Sequence, residues 1–212
     1  MRYVIILIIL LLLSMIFSPI DENRLPSYYV EMISSLNKTV CSAFLIDRYT
    51  IVTSVHCKHL VKAKFTDGSI KRVVKVYQSK EDDIAIYYIY ESGHTLNNYP
   101  SIGFPYTFGL LSIHSHVNDI KYPLFFLLVS QDLIKDVKTS PEVHMVVDIL
   151  YPLTLSVKKG NSGGPVTQNS KIVGMVYGHD IHPDVHQTYI IQGMTIKKHL
   201  DRYYTNVENN SK

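Results

Sequence analysis

An all-β chain ending in one short helix is the fold class this sequence predicts, and three observations predict it. Short runs rich in Tyr, Ile and Val follow one another along most of the chain. Turn-forming residues interrupt them, Asp67-Gly68 and the polar Gln78 to Asp82 among others. Helical spacing is confined to the C-terminal end, where Ile196, Leu200 and Tyr203 share one face of a segment from Met194 to Tyr204.

Taken in order, the chain opens with Arg2 as the only charge in its first eighteen residues, followed by Val4 to Phe17, apolar except for Ser14. A positive start before an apolar stretch shorter than the roughly 20 residues of a spanning helix predicts a secretory signal over residues 1–18, or a membrane anchor if it stays uncleaved. Pro26 then opens a strand from Tyr28 to Ile33. An alternating run from Ala43 to Thr53 follows, then Val61 to Phe65, Ile70 to Tyr77 and Ile84 to Tyr90. Asn, Pro and Gly cluster between Asn97 and Pro105 and divide the rest into two halves, 19–104 and 105–212. Strands in the second half are expected at Leu110 to His116, Leu124 to Val129, Val143 to Leu150, Ile172 to Tyr177 and Thr188 to Gln192.

With 212 residues, 46% of them hydrophobic, the chain can bury a sizeable core. A net charge of +3, with no basic run interleaved with aromatics, speaks against nucleic-acid binding. Cys41 and Cys57 are the only cysteines. In an oxidising compartment a pair so spaced can close one loop of about fifteen residues and stabilise by roughly 3 kcal/mol, whereas in a reducing one both remain buried thiols. No Cys/His quartet has zinc spacing. Asn37-Lys38-Thr39 and Asn209-Asn210-Ser211 are possible glycan acceptors in a eukaryotic secretory pathway.

Chemistry concentrates in Lys159-Gly160-Asn161-Ser162-Gly163-Gly164-Pro165. Glycines on both sides of one serine permit a tight, positive-φ turn that presents a hydroxyl and amide N–H groups together, the needs of acyl transfer. Taken alone the stretch could also form an ordinary glycine-rich hairpin, so the reading rests on its partners. Upstream, Ser54-Val55-His56-Cys57 ends one strand-like run and Asp83-Ile84-Ala85-Ile86-Tyr87 opens another, so the order is His, Asp, Ser.

These three motifs resemble those of the trypsin/chymotrypsin-type serine proteases: Cys41 to Cys57 their histidine loop, Asp83 to Ile86 their Asp-Ile-Ala-Leu segment, and Gly160 to Pro165 their nucleophile loop. The resemblance spans Pro26 to Tyr204. It implies two antiparallel six-stranded β-barrels with a closing helix, the first (19–104) carrying His and Asp, the second (105–212) carrying Ser. It further implies Ser162 as nucleophile, His56 as general base, Asp83 as its orienting carboxylate and the N–H groups of Gly160 and Ser162 as the oxyanion hole. Asp82 is adjacent, but the apolar residues after Asp83 match the family motif. His59, His94, His114, His116, His144 and His199 read as surface or packed residues.

The chain departs from the family in two places. There is no Ile-Val-Gly-Gly start, and Asn161 precedes the nucleophile where many members have the Asp that pairs with a freed amine. Activation through a new N-terminus is therefore not expected. In its Gly-Asn-Ser-Gly the chain is similar to bacterial glutamyl endopeptidases and high-temperature-requirement proteases. Ser156, at the position of the primary pocket's base, carries no charge, which argues against a Lys/Arg preference. Tyr177, Gly178 and His179 would line the rest of that pocket. His182, His186, Lys158 and Lys159 favour an acidic residue, yet the histidine of glutamyl endopeptidases falls on Val176, so a bulky apolar or aromatic residue is expected, with Glu or Gln next. The expectation is a secreted, extracellular, monomeric endopeptidase acting on protein or peptide without metal or cofactor, and at a membrane only if the leader stays attached. Two competitors are a catalytically inactive serine-protease homologue acting as a binding module and an α/β-hydrolase esterase, whose Ser, Asp, His order the chain does not follow.

Overall fold

The computed structural model describes residues 25–90, 92–104, 108–114, 124–127, 137–138, 144–145, 150–153, 159–179 and 188–210. The leader expected over residues 1–18 lies outside them. Among the described residues no helix is long and apolar enough to cross a membrane.

The first half closes into a six-stranded antiparallel barrel built from β1 (Tyr29–Ser34), β2 (Thr39–Leu45), β3 (Thr50–Ser54), β4 (Leu60–Phe65), β5 (Ile70–Ser79) and β6 (Ile84–Ile89), in the order β1-β2-β3-β6-β5-β4. The run from Ala43 to Thr53 belongs to two strands rather than one. Asp47 breaks it, its carboxylate accepting the N–H groups of Tyr49 and Thr50 at 2.7 and 2.9 Å. Such an Asx turn reverses the chain without any glycine or proline.

Both faces of β2, β3 and β6 are buried. Cys41, Ala43, Leu45, Ile51, Ala85 and Tyr87 fill the barrel interior. Phe44, Val52, Ile84 and Ile86 alternate with them and join Ile172, Met175, Tyr177 and Ile191 of the second half. Two buried faces explain why these strands read as nearly continuous apolar runs. They also bring the two halves together along one wall of the barrel.

The second half contains β7 (Ser101–Ile102), β8 (Phe108–Ile113), β9 (Leu124–Leu127), β10 (Val137–Lys138), β11 (His144–Met145), β12 (Leu150–Leu153), β13 (Pro165–Gln168), β14 (Lys171–His179) and β15 (Thr188–Gln192). Six of these form a sheet ordered β12-β15-β14-β13-β8-β9, β7 adds in parallel to β14, and β10 and β11 pair separately. Among the described residues the sheet does not close, since no strand pairing joins β9 to β12. One closed barrel is therefore observed where the resemblance implied two. β13 is a strand the sequence did not announce, because Pro165 and the glycines before it read as loop.

Helix α1 (Gly193–Asn210) starts directly from β15 and runs past Tyr204, where the predicted helix stopped. No Gly or Pro follows Tyr204 to end it. Ile196 and Leu200 pack into the cluster between the halves, flanked by Tyr203.

A part-buried polar chain also links the halves. His114 Nε2 lies 2.9 Å from Thr167 Oγ1, and burial lowers the His114 pKa to about 4. Burial likewise pushes the Tyr28 hydroxyl up to about 12, against a hydrogen bond to Thr167. For His114 the unfolded chain, with a pKa near 6.5, binds a proton that the folded chain refuses until about pH 4. Stability should therefore fall as pH drops from about 6.5 to 4, by no more than about 3 kcal/mol from this residue. Urea unfolding of His114→Gln beside the parent should show a flatter slope across that window. Equal slopes would remove His114 as the cause.

Candidate active site

Strand register brings the histidine and aspartate together. β3 and β6 are antiparallel with Ser54 opposite Ile84, so the residues leaving β3 lie beside those entering β6. His56, two positions past that rung, meets Asp83, one position before it. Asp83 Oδ2 lies 2.7 Å from His56 Nδ1, and Oδ1 accepts the His56 backbone N–H at 2.9 Å. The Asp83 carbonyl takes the Val55 N–H at 3.1 Å. Asp83 is buried, with a side-chain exposure of 3%, whereas the His56 ring keeps 34% open to the surroundings.

Asp83 holds this position with φ at +51°, in the left-handed region. Asp and Asn are the non-glycine residues that enter it most readily, and strain there persists only where surrounding contacts over-determine it. The two hydrogen bonds to His56 and the one to Val55 supply that constraint.

Cys41 and Cys57 form a disulfide, with Cα atoms 6.2 Å apart and a sequence separation of 16. It ties the residue after His56 to the middle of β2, as the resemblance implied for the histidine loop. Replacing both cysteines by alanine should lower unfolding free energy by roughly 3 kcal/mol. A loss well under about 1 kcal/mol in chemical denaturation would show that the loop is held by its hydrogen bonds instead.

The Ser162 turn is fastened to both halves. Gly163 donates its N–H to Val176 at 2.8 Å, and Val176 returns its own to Gly164 at 2.8 Å. On the barrel side Ser42 donates its backbone N–H to the Ser162 carbonyl at 2.9 Å and its hydroxyl to the Gly160 carbonyl at 2.9 Å. Thr53 donates to the Ser42 carbonyl at 2.7 Å, and the Tyr29 hydroxyl sits 2.8 Å from Ser42 Oγ. Ser42 is fully buried and fixes the peptide planes on both sides of the Asn161-Ser162 pair. Gly160 and Gly163 adopt φ of +103° and +81°, as the glycine pattern suggested.

His56 is connected to the turn through Tyr177. Its ring stands edge-on to Tyr177, centroids 5.8 Å apart, and Tyr177 adjoins the Val176 that holds the serine turn. Contacts thus run from Asp83 through His56 to Tyr177, and through the neighbouring Val176 to the Gly160–Gly164 turn. At Gly178 an added Cβ would meet nothing within 4 Å, so β14 is open there. His179 ends β14, and Ser156, Lys158, His182 and His186 lie outside the described residues. Among the described residues no group of three or more His, Cys, Asp and Glu could hold a metal ion.

Ser42, Tyr29 and Thr53 were not singled out by sequence reasoning. The available signal was periodicity: Ser42 alternates with Cys41 and Ala43 on β2 and so shares a face with Phe44, toward the second half. His94 and His199 are packed residues, His94 stacked on Phe65 with centroids 3.9 Å apart. Burial lowers the His94 pKa.

No protein-family model and no curated protein sequence matches the chain. Its fold is similar to that of solved protease structures. The Rv3671c protease from M. tuberculosis in its active form aligns with a TM-score of 0.61 at 16% identity, covering 89% of this chain and 85% of the other. An inactive form of the same protein carrying a serine-to-alanine substitution aligns at 0.60 and 15% identity, over 84% and 87%. A further inactive form of Rv3671c protease gives 0.56 at 16% identity, over 84% and 89%.

Proposed function

We propose that the chain is a serine endopeptidase, exported from the cell, that hydrolyses peptide bonds through an acyl-enzyme at Ser162. The observation that carries the reading is the His56–Asp83 pair, a buried carboxylate on Nδ1 of a part-exposed imidazole whose ring also meets Tyr177, the neighbour of the Val176 that holds the serine turn. A carboxylate accepts only, so the ring proton sits on Nδ1 and Nε2 is left to accept the Ser162 proton. His56 then returns that proton to the leaving amine, and water repeats the cycle on the acyl-enzyme. The N–H groups of Gly160 and Ser162 would hold the oxyanion. Substrate would pair along β14 beyond Tyr177 as an added strand, with Gly178 leaving room for a bulky apolar or aromatic side chain and Ser156 at the pocket base. The second sheet would close as the family's second barrel.

The test is labelling of the purified protein with a fluorophosphonate probe, beside Ser162→Ala and His56→Ala. Labelling that both substitutions abolish is the expected result. Gly160→Val, which forces a β-branched residue into φ of +103°, should slow labelling about a hundred- to a thousand-fold with the triad residues unchanged. A folded parent that never labels would sink the hydrolase reading and favour a peptide-binding homologue.

A further inference from the structure

A second buried His–Asp pair lies directly behind the first. His199 Nε2 is 2.6 Å from Asp82 Oδ2, and its Nδ1 is 2.7 Å from the Tyr77 hydroxyl. His199 is 1% exposed and Asp82 8%. The three side chains come from three elements: Tyr77 from β5, Asp82 from the turn joining β5 to β6, and His199 from α1. A neutral His199 satisfies every group, with Tyr77 O–H donating to Nδ1 and Nε2–H donating to the Asp82 carboxylate. The proposed chemistry at Ser162 uses none of them.

Their position is what matters. Asp82 and Asp83 are consecutive, and the left-handed backbone at Asp83 lies between two anchored carboxylates, Asp82 held by α1 and Asp83 holding His56. Releasing Asp82 would free one side of a strained four-residue turn. We propose that His199, through Asp82, is a positioning residue that aims Asp83 at His56, so that the C-terminal helix sets the geometry of the base. This rests on the protease reading for its rate effect, not for its structural effect.

Two replacements of His199 separate its ends. His199→Asn keeps an amide near the Nδ1 position and withdraws the donor from Asp82. His199→Gln places an amide donor near the Nε2 position. The first readout is the downfield proton resonance of His56 Nδ1–H, assigned by its loss in His56→Ala. The second is the fluorophosphonate labelling rate, with kcat and KM on a peptide substrate. In His199→Asn the His56 resonance should shift or broaden away, and labelling and kcat should fall about tenfold with KM unchanged. His199→Gln should restore both. A folded His199→Asn with the His56 resonance intact and labelling within about twofold of the parent would overturn the proposal. If His199→Asn does not fold, Asp82→Ala removes the same contact without stranding a buried charge and carries the same two outcomes. A parent that shows the His56 resonance but never labels would defeat the protease reading, while the resonance in the variants still decides the role of His199.

Discussion

Replacing Asp83 by asparagine should lower kcat/KM for peptide hydrolysis about 10⁴-fold while leaving the folded structure within about 1 kcal/mol of the parent. Both halves of this expectation follow from the contacts of one side chain. Asn is the residue other than Asp and Gly that best tolerates φ of +51°, so the backbone can stay where it is. Its amide oxygen can still accept the His56 backbone N–H. Its NH₂ then faces Nδ1 and can only donate, which moves the ring proton to Nε2. An imidazole with a proton on Nε2 cannot accept one from Ser162. Asp83→Ala makes the contrast, since it also removes the acceptor for the His56 backbone and the tolerance of left-handed φ, and it should lose stability together with activity. Steady-state kinetics and urea denaturation of the two variants decide the matter. An Asp83→Asn protein retaining more than about a tenth of the parental rate would show that this carboxylate does not set the tautomer.

Gly163→Ala should be the most destabilising single methyl in the described part of the chain. Gly163 has φ of +81°, and a Cβ there would stand 2.2 Å from the Ser42 carbonyl oxygen and 2.2 Å from Thr53 Oγ1. Neither neighbour can yield easily. The carbonyl belongs to the backbone of β2, and Thr53 Oγ1 is fixed by donating to it. The left-handed conformation costs about 1–2 kcal/mol for an L residue and overpacking about 1–3, so a loss of roughly 2–5 kcal/mol is expected. The same clash pushes the serine turn away from the barrel that carries His56, so labelling at Ser162 should vanish even where the variant still folds. A change below about 1 kcal/mol would mean that the turn and β2 are not in contact in solution. For the stability measurement alone, Gly178→Ala is the control, because a methyl there enters open space.

What was legible in the sequence and what was not divides along physical lines. Local chemistry was legible: glycines around Ser162 that need positive φ, apolar runs that need a sheet, and a carboxylate heading a buried strand each leave a mark within a few residues. Helix α1 was found through its apolar spacing, and its true end was missed because no breaker follows Tyr204. The turn at Asp47 was missed because a single Asp side chain, not a glycine or proline, reverses the chain there.

Pairings between distant residues were not legible by residue type. Nothing in the sequence of β2 says that the Ser42 hydroxyl meets the carbonyl of Gly160, 118 residues away. The apolar residues after Asp83 marked it for His56, but nothing local says that the neighbouring Asp82 turns to His199. Alternation along a strand sends neighbouring side chains to opposite faces, but which partner waits on each face depends on how barrel, sheet and helix pack. The sequence by itself determined the β class, the closing helix and the candidate nucleophile turn, because those are set by short-range sterics and patterning. Tertiary structure alone decided what Asp82 pairs with and what holds the serine turn, because those contacts exist only once the barrel, sheet and helix pack together.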